Sequence, residues 1–186
     1  MSRLILVRHA APVVDPTRPS AEWTLSEKGR EAARRLSRRL ASYAAKAVLS
    51  GPEPKVAETA EILAHELTLP AAVLPALGEH ERRSSRYVAK AEFEAAIRRL
   101  FLEPGAIVYG EESADMTCRR FAGALDDARR THGDATTIVV SGGTAICLYI
   151  ARQANVDGFG LWKTLDMPMA FALSVDGSKI EEVLQL

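Results

Sequence analysis

The chain predicts one α/β domain in three layers, with helices on both sides of a mostly parallel central sheet. Three observations carry that expectation. Short apolar runs alternate with segments of helical periodicity along the whole length, the pattern that builds a parallel sheet covered on both faces. Thr136 to Ser141 is a continuous, mostly β-branched run, as expected for a strand buried on both sides. The 186 residues contain no repeat, low-complexity tract or linker, so a single domain over 1–186 is expected.

The elements follow in order. Leu4 to Val7 is an apolar strand that ends on Arg8 and His9. Residues 10–24 carry Pro12, Pro16 and Pro19 and predict a loop. Ser26 is placed to cap a helix running to about Tyr43, with Ala33, Leu36, Leu40 and Tyr43 on one face. Ala47 to Leu49 is a short second strand. The turn 50–54 feeds a second helix whose inner face is Val56, Thr59, Ala60, Leu63 and Leu67, and Pro70 stops it. Ala72 to Leu74 is a third strand. Residues 78–90 are polar and predict an exposed loop, and a helix covers about 90–102. After a break at Gly105 to Gly110, Ser113 caps a long helix with Cys118, Phe121, Leu125 and Ala128 as its buried stripe. The run 136–141 then turns at Gly142-Gly143 into a helix over about 144–153. Ala170 to Val175 and Lys179 to Leu184 close the sheet through Asp176-Gly177.

Composition narrows the function. The chain is 47% hydrophobic and 26% charged, and Lys+Arg and Asp+Glu both number 24. With no net field to attract nucleic acid or an anionic membrane, neither is expected as a partner, and an anion site must be a local focus of charge. Arg30, Arg34, Arg35, Arg38 and Arg39 fall at helical spacing and predict a solvated helix face. The two cysteines, Cys118 and Cys147, lie in helical segments and suggest no disulfide framework or zinc site, so a cytoplasmic location is expected. No apolar run approaches the ~20 residues of a membrane span.

Arg8 and His9 draw attention because ligands in open α/β sheets bind outside the carboxyl ends of the strands. A guanidinium offers a planar fork to phosphate oxygens, and an imidazole can be a nucleophile. Lys55 falls in the first turn of a helix, where backbone N–H groups favour an anion. Glu79 follows the third strand, and Gly142-Gly143 links strand to helix.

These segments together resemble the histidine phosphatase superfamily, the phosphoglycerate mutase-like proteins. The resemblance rests on Arg8-His9-Ala10 after the first strand, Leu25 to Gly29 at a helix start, and residues 50–60. It continues with Leu77 to Glu79, Gly110 to Ser113, and residues 140–144, all in the family's order. It implies a phosphoglycerate mutase-like fold and a metal-independent phosphatase that needs no cofactor and acts on a small phosphorylated substrate. In the implied mechanism His9 attacks phosphorus and forms a phosphohistidine, and Arg8 holds the equatorial oxygens. Glu79, protonated, serves the leaving alcohol and then, as a carboxylate, activates water. Lys55, Gly142, Gly143 and nearby N–H groups complete the phosphate cradle.

Two positions depart from the pattern: Lys55 stands for the family's second arginine and Gly142 for its second histidine. Losing one preorganised donor commonly costs about 10²–10³ in rate, and lysine keeps the charge without the fork. The resemblance therefore implies either a phosphatase of reduced activity or a degenerate module that binds a phosphorylated ligand or a protein partner. A sugar-phosphate mutase is less well matched, since the chain is short for that branch. A dinucleotide-binding protein lacks its Gly-x-Gly-x-x-Gly fingerprint. Read alone, His80, Glu81, His65 and His132 are expected to be solvated, as are Arg82, Arg83 and Arg86. Trp23 and Trp162 are expected to pack on the core or to line the cleft, with packing preferred.

Overall fold

A computed structural model describes residues 3–133, 135–174 and 176–186. Its six-stranded sheet has the order β3-β2-β4-β1-β5-β6, with β1 Leu4–Arg8, β2 Ala47–Ser50, β3 Ala71–Val73, β4 Thr137–Ser141, β5 Met169–Leu173 and β6 Ile180–Leu184. β1 pairs parallel with β4, and β2 pairs parallel with both β3 and β4. β5 runs antiparallel to β1 and to β6, so the sheet is parallel except for one strand.

The pleat of β1 explains the layering. Successive side chains point to opposite faces of a strand. Leu4 and Leu6 join Phe121, Leu125, Ile146 and Ile150 in one core, under α4 (Ala114–His132) and α5 (Gly143–Ala154). Ile5 and Val7 join Leu36, Leu40, Val56 and Leu63 in the other, under α1 (Glu27–Leu40) and α2 (Pro54–Leu67). Because both faces are buried, every position of β1 before Arg8 is apolar. A smaller cluster of Ile97, Leu100, Cys118 and Leu148 seats α3 (Lys90–Leu102) against α4 and α5.

The helix signals perform as physical caps. The Ser26 hydroxyl accepts the Gly29 N–H at 3.0 Å, and Ser113 accepts the Met116 N–H at 3.2 Å. Each such cap contributes about 1 kcal/mol. α1 ends at Leu40 rather than Tyr43; a 3-10 turn spans Ala41–Tyr43 and leads into Ala44 in the left-handed region. β3 begins and ends one residue earlier than expected, on an exposed edge where no buried face pins its limits. The closing hairpin is present; its Val175 lies outside the described residues. A sixth helix, α6 (Gly158–Lys163), was not expected. Its two glycines hide the helical pattern, and it is held by the Asp157 carboxylate accepting the Gly160 N–H at 3.0 Å.

The parallel strands bring the ends of β1, β2 and β4 to one rim, and the Pro75–Leu77 turn after β3 reaches the same rim. Ile138 is fully buried in β4. Ile138→Ala is expected to cost about 2–5 kcal/mol, read as a lower urea midpoint at unchanged slope.

Candidate active site

His9 follows β1 on the rim and is 6% exposed. Its backbone N–H donates to the Ser141 carbonyl at 3.0 Å, tying it to β4. The next residue, Ala10, donates its N–H to Thr59 Oγ1 at 3.1 Å, and that hydroxyl donates to the Lys55 carbonyl at 2.7 Å. α2 thus anchors the loop that follows the strand. The imidazole Nδ1 lies 2.8 Å from the Ala10 carbonyl. A carbonyl only accepts, so Nδ1 carries the proton and Nε2 keeps its lone pair. Burial, then the cation of Lys55, push the imidazole down to about 3, although the Ala10 carbonyl works in the other direction. The ring is therefore neutral at pH 7.

Arg8 points to the other face of the sheet. Its Nη1 donates to the Leu165 carbonyl at 2.9 Å, while its Nε is buried without a partner. Burial lowers its pKa from the usual arginine range. The guanidinium crosses the start of α5 so closely that a Cβ at Gly143 would stand 3.0 Å from Arg8 Nε and 2.7 Å from a Leu165 methyl. A side chain at 143 would have to displace the Leu165 methyl and press on Arg8.

Glu79 takes an unexpected place. Its carboxylate accepts the N–H of Ala145 at 2.7 Å, of His80 at 2.8 Å and of Thr144 at 3.0 Å, with Arg82 Nη2 at 3.3 Å. It caps the N-terminus of α5, where free N–H groups and the helix dipole favour negative charge. Burial would raise this carboxyl, but the Arg82 guanidinium and the three N–H donors outweigh it and hold the group far below the ordinary carboxylate range. These hydrogen bonds favour the carboxylate form, whereas the resemblance implied a protonated acid. The placement of Glu79 also explains Gly142: a Cβ there would lie 2.3 Å from Glu79 Cδ and from Oε2. The volume that a histidine side chain would enter is given to the carboxylate. Gly142 itself lies outside the lining of the cavity described below.

Arg8, His9, Lys55, Glu79 and Gly143 line one cavity of about 480 Å³. Lys55 is 5% exposed; its Nζ donates to the Ser20 carbonyl and sits 5.9 Å from the centre of the Trp23 ring. Burial, then the Arg82 cation, lower its pKa to about 8. Its backbone N–H is taken by the Trp23 carbonyl at 3.1 Å, so that group is not free for an anion as expected. Of the cradle N–H groups at α5, those of Thr144 and Ala145 are likewise occupied, by Glu79.

Arg82 is the residue that sequence reasoning misplaced. It is half-buried over the Phe93 ring at 5.2 Å, reaches Thr144 Oγ1 at 3.4 Å, and lines the cavity instead of lying in solvent. His80 is also buried rather than solvated, with its Nε2–H on the Glu112 carbonyl at 2.8 Å. It does not enter the space beside Gly142. Glu81 is exposed, as expected. Trp23 and Trp162 pack on neighbours and also line the cavity.

The Glu79 segment is fixed from outside the cavity. Arg120 of α4 donates to the carbonyls of Ala76 at 2.9 Å, Gly78 at 3.0 Å and Glu79 at 3.0 Å, and pairs with buried Glu112. Glu53 Oε1 accepts the Glu79 N–H at 3.0 Å, and burial raises the Glu53 pKa. Neither Arg120 nor Glu53 carried a sequence signal, because each acts through carbonyl and N–H groups that become neighbours only on folding.

Charge is concentrated here although the chain is neutral as a whole. Among the described residues, six cationic side chains line the cavity, Arg8, Arg18, Lys55, Arg82, Arg86 and Lys90, against a single carboxylate, Glu79. Among the described residues, no group of three or more His, Cys, Asp and Glu side chains is arranged to hold a metal ion, and no helix is long and apolar enough to cross a membrane. Gly142→Ala should displace the Glu79 carboxylate from α5. The expected loss is about 1–3 kcal/mol by chemical denaturation, and most of it should vanish when Glu79→Ala is made in the same chain.

Comparison with known proteins bears on the family and the fold. The family model described as histidine phosphatase superfamily (branch 1) matches residues 4–173. A search of curated sequences finds no match. Among solved structures, a mutant phosphoserine phosphatase from Entamoeba histolytica in complex with phosphoserine superposes with a TM-score of 0.76 at 16% identity, covering 98% of this chain and 96% of that one. A mycobacterial glucosyl-3-phosphoglycerate phosphatase complexed with VO3 gives 0.75 at 18% identity, covering 94% and 93%. Bacillus stearothermophilus YhfR gives 0.70 at 20% identity, covering 94% and 92%. With the family model spanning β1 through β5, the chain belongs to the histidine phosphatase superfamily, branch 1.

Proposed function

We propose that the protein is a metal-independent phosphatase of reduced activity, acting on a small phosphomonoester through a phosphohistidine on His9. The observation that carries this reading is the 2.8 Å contact of His9 Nδ1 with the Ala10 carbonyl, which assigns the tautomer. With Nδ1–H held by the Ala10 carbonyl, Nε2 keeps a lone pair, and the ring lines a cavity with Arg8, Lys55 and Arg82. Nε2 attacks phosphorus, the P–O bond to the leaving group breaks, and the cations stabilise charge on the phosphoryl oxygens. Water then attacks the phosphohistidine. Glu79, ionised, is suited to accept a proton from that water but not to protonate the leaving group in the first step. Absence of a built-in acid typically costs about 10²–10⁴ in rate, which is the basis for reduced activity.

The solved relatives include one described with inorganic phosphate and one with phosphoserine. The same ligand class is proposed here: a small phosphorylated substrate or inorganic phosphate, without nucleic acid, membrane or cofactor. The two buried free thiols, Cys118 and Cys147, suit a reducing cytoplasm. A second reading, a module that binds phosphorylated ligands without turnover, is favoured by the Glu79 carboxylate, whose four donors tie it to α5, the His80 amide and Arg82.

Steady-state hydrolysis of p-nitrophenyl phosphate separates the two. His9→Ala should lower the rate by at least about 10³ while calorimetric binding of inorganic phosphate persists, and a base-stable phosphoenzyme should be trapped in the wild type alone. Equal rates in His9→Ala and wild type would remove His9 as nucleophile; binding without turnover would leave the module. The pH profile offers a separate check. The His9 ring stays neutral down to about 3, so kcat/KM should show no acid limb near 6.5. Lys55 is charged below about 8 and loses its proton above it, so kcat/KM should fall as pH rises through that value. Lys55→Arg, which stays charged, should move that limb upward.

A further inference from the structure

We infer that the cavity selects phosphate esters of aromatic alcohols: a phosphoryl head on the cationic floor and an aryl body against two aromatic clusters. The inference rests on the anion-binding site proposed above and names what lies beyond the phosphorus. In one cluster, Lys55 Nζ lies 5.9 Å from the Trp23 ring centre, and the Trp23 ring meets Tyr87 at 6.2 Å between centroids. In a second, the Arg82 guanidinium covers the Phe93 ring at 5.2 Å, and Phe93 meets Trp162 edge-on at 5.7 Å. Each cluster therefore couples one cation to a pair of rings. All four rings line the cavity, and Val14 and Met167 join them.

The rim is unusual for an unliganded surface. Val14 is 53% exposed, Tyr87 49% and Met167 39%, so large apolar groups stand open to water around a cationic pit. An exposed apolar patch beside a charged floor marks a binding site for a molecule with both characters. Aromatic walls favour a planar guest by offset and edge-to-face contact. A volume of about 480 Å³ suits a small molecule rather than a folded partner.

The chemistry points the same way. In transfer to His9, the Nε2–P bond forms, the P–O(aryl) bond breaks, and the electron pair leaves as a phenolate that takes a proton from water. A phenol has a pKa near 10, so its anion leaves without a proton donor far more readily than an alkoxide does. An ionised Glu79 is then no obstacle to the first step.

Turnover alone would confound reactivity with recognition, so the test is binding. Titration calorimetry should compare methylphosphonate with benzylphosphonate, which share the head group and are not hydrolysed. Benzylphosphonate is expected to bind at least about tenfold more tightly, by burial of the ring. Tyr87→Ser and Val14→Ser, both at the exposed rim, should shrink that ratio severalfold and leave inorganic phosphate affinity unchanged. Equal affinities, no binding of either phosphonate, or a ratio that neither variant alters would overturn the inference. Selective benzylphosphonate binding without release of phosphate from phenyl phosphate would sink the phosphatase reading and leave the aryl selectivity standing. Turnover without aryl preference would do the reverse.

Discussion

A buried carboxylate placed on a helix terminus organises the site. Glu79 closes the first turn of α5, meets Arg82, and through its backbone connects to Glu53 and Arg120. An unpaired buried carboxylate would cost several kcal/mol; here three N–H groups and a guanidinium offset that cost. The arrangement requires that nothing project from position 142, where any Cβ would overlap the carboxylate. A glycine that reads as the loss of a histidine is, in the folded chain, the condition for a different electrostatic centre.

The consequence reaches the whole cavity. With Glu79 drawn toward α5, Arg82 follows it inward and lies across Phe93. That brings a third cation near Arg8 and Lys55 in the lining of one cavity and places its guanidinium on an aromatic wall. His9 depends on a separate device, the hydrogen bond from Nδ1 to the adjacent carbonyl, which leaves the Nε2 lone pair free. The His9 ring and the Lys55 cation thus rest on separate supports, while Glu79 and Arg82 share one. A binder and a slow enzyme are neighbouring solutions in such a site, because removing the proton donor leaves the cradle intact.

The core owes little to these charges. Alternating side chains of β1 and β4 bury both faces of the sheet, and the helices supply complementary apolar stripes. That rigidity holds the strand ends, and so Arg8 and His9, in register with β4.

The order of elements, the caps at Ser26 and Ser113, the buried stripes and the positions of Arg8, His9, Lys55 and Gly143 were all legible in the chain, because periodicity and short motifs are local. α6 was not, since its glycines break the pattern and an Asp157 cap holds it. The role of Gly142, the burial of His80 and the inward turn of Arg82 were not legible either. Each depends on where a carboxylate from the end of one strand meets the amides after another, residues 65 and 66 apart in sequence. Local sequence specifies which groups are available. Only tertiary packing decides which of them a buried charge must use to replace water.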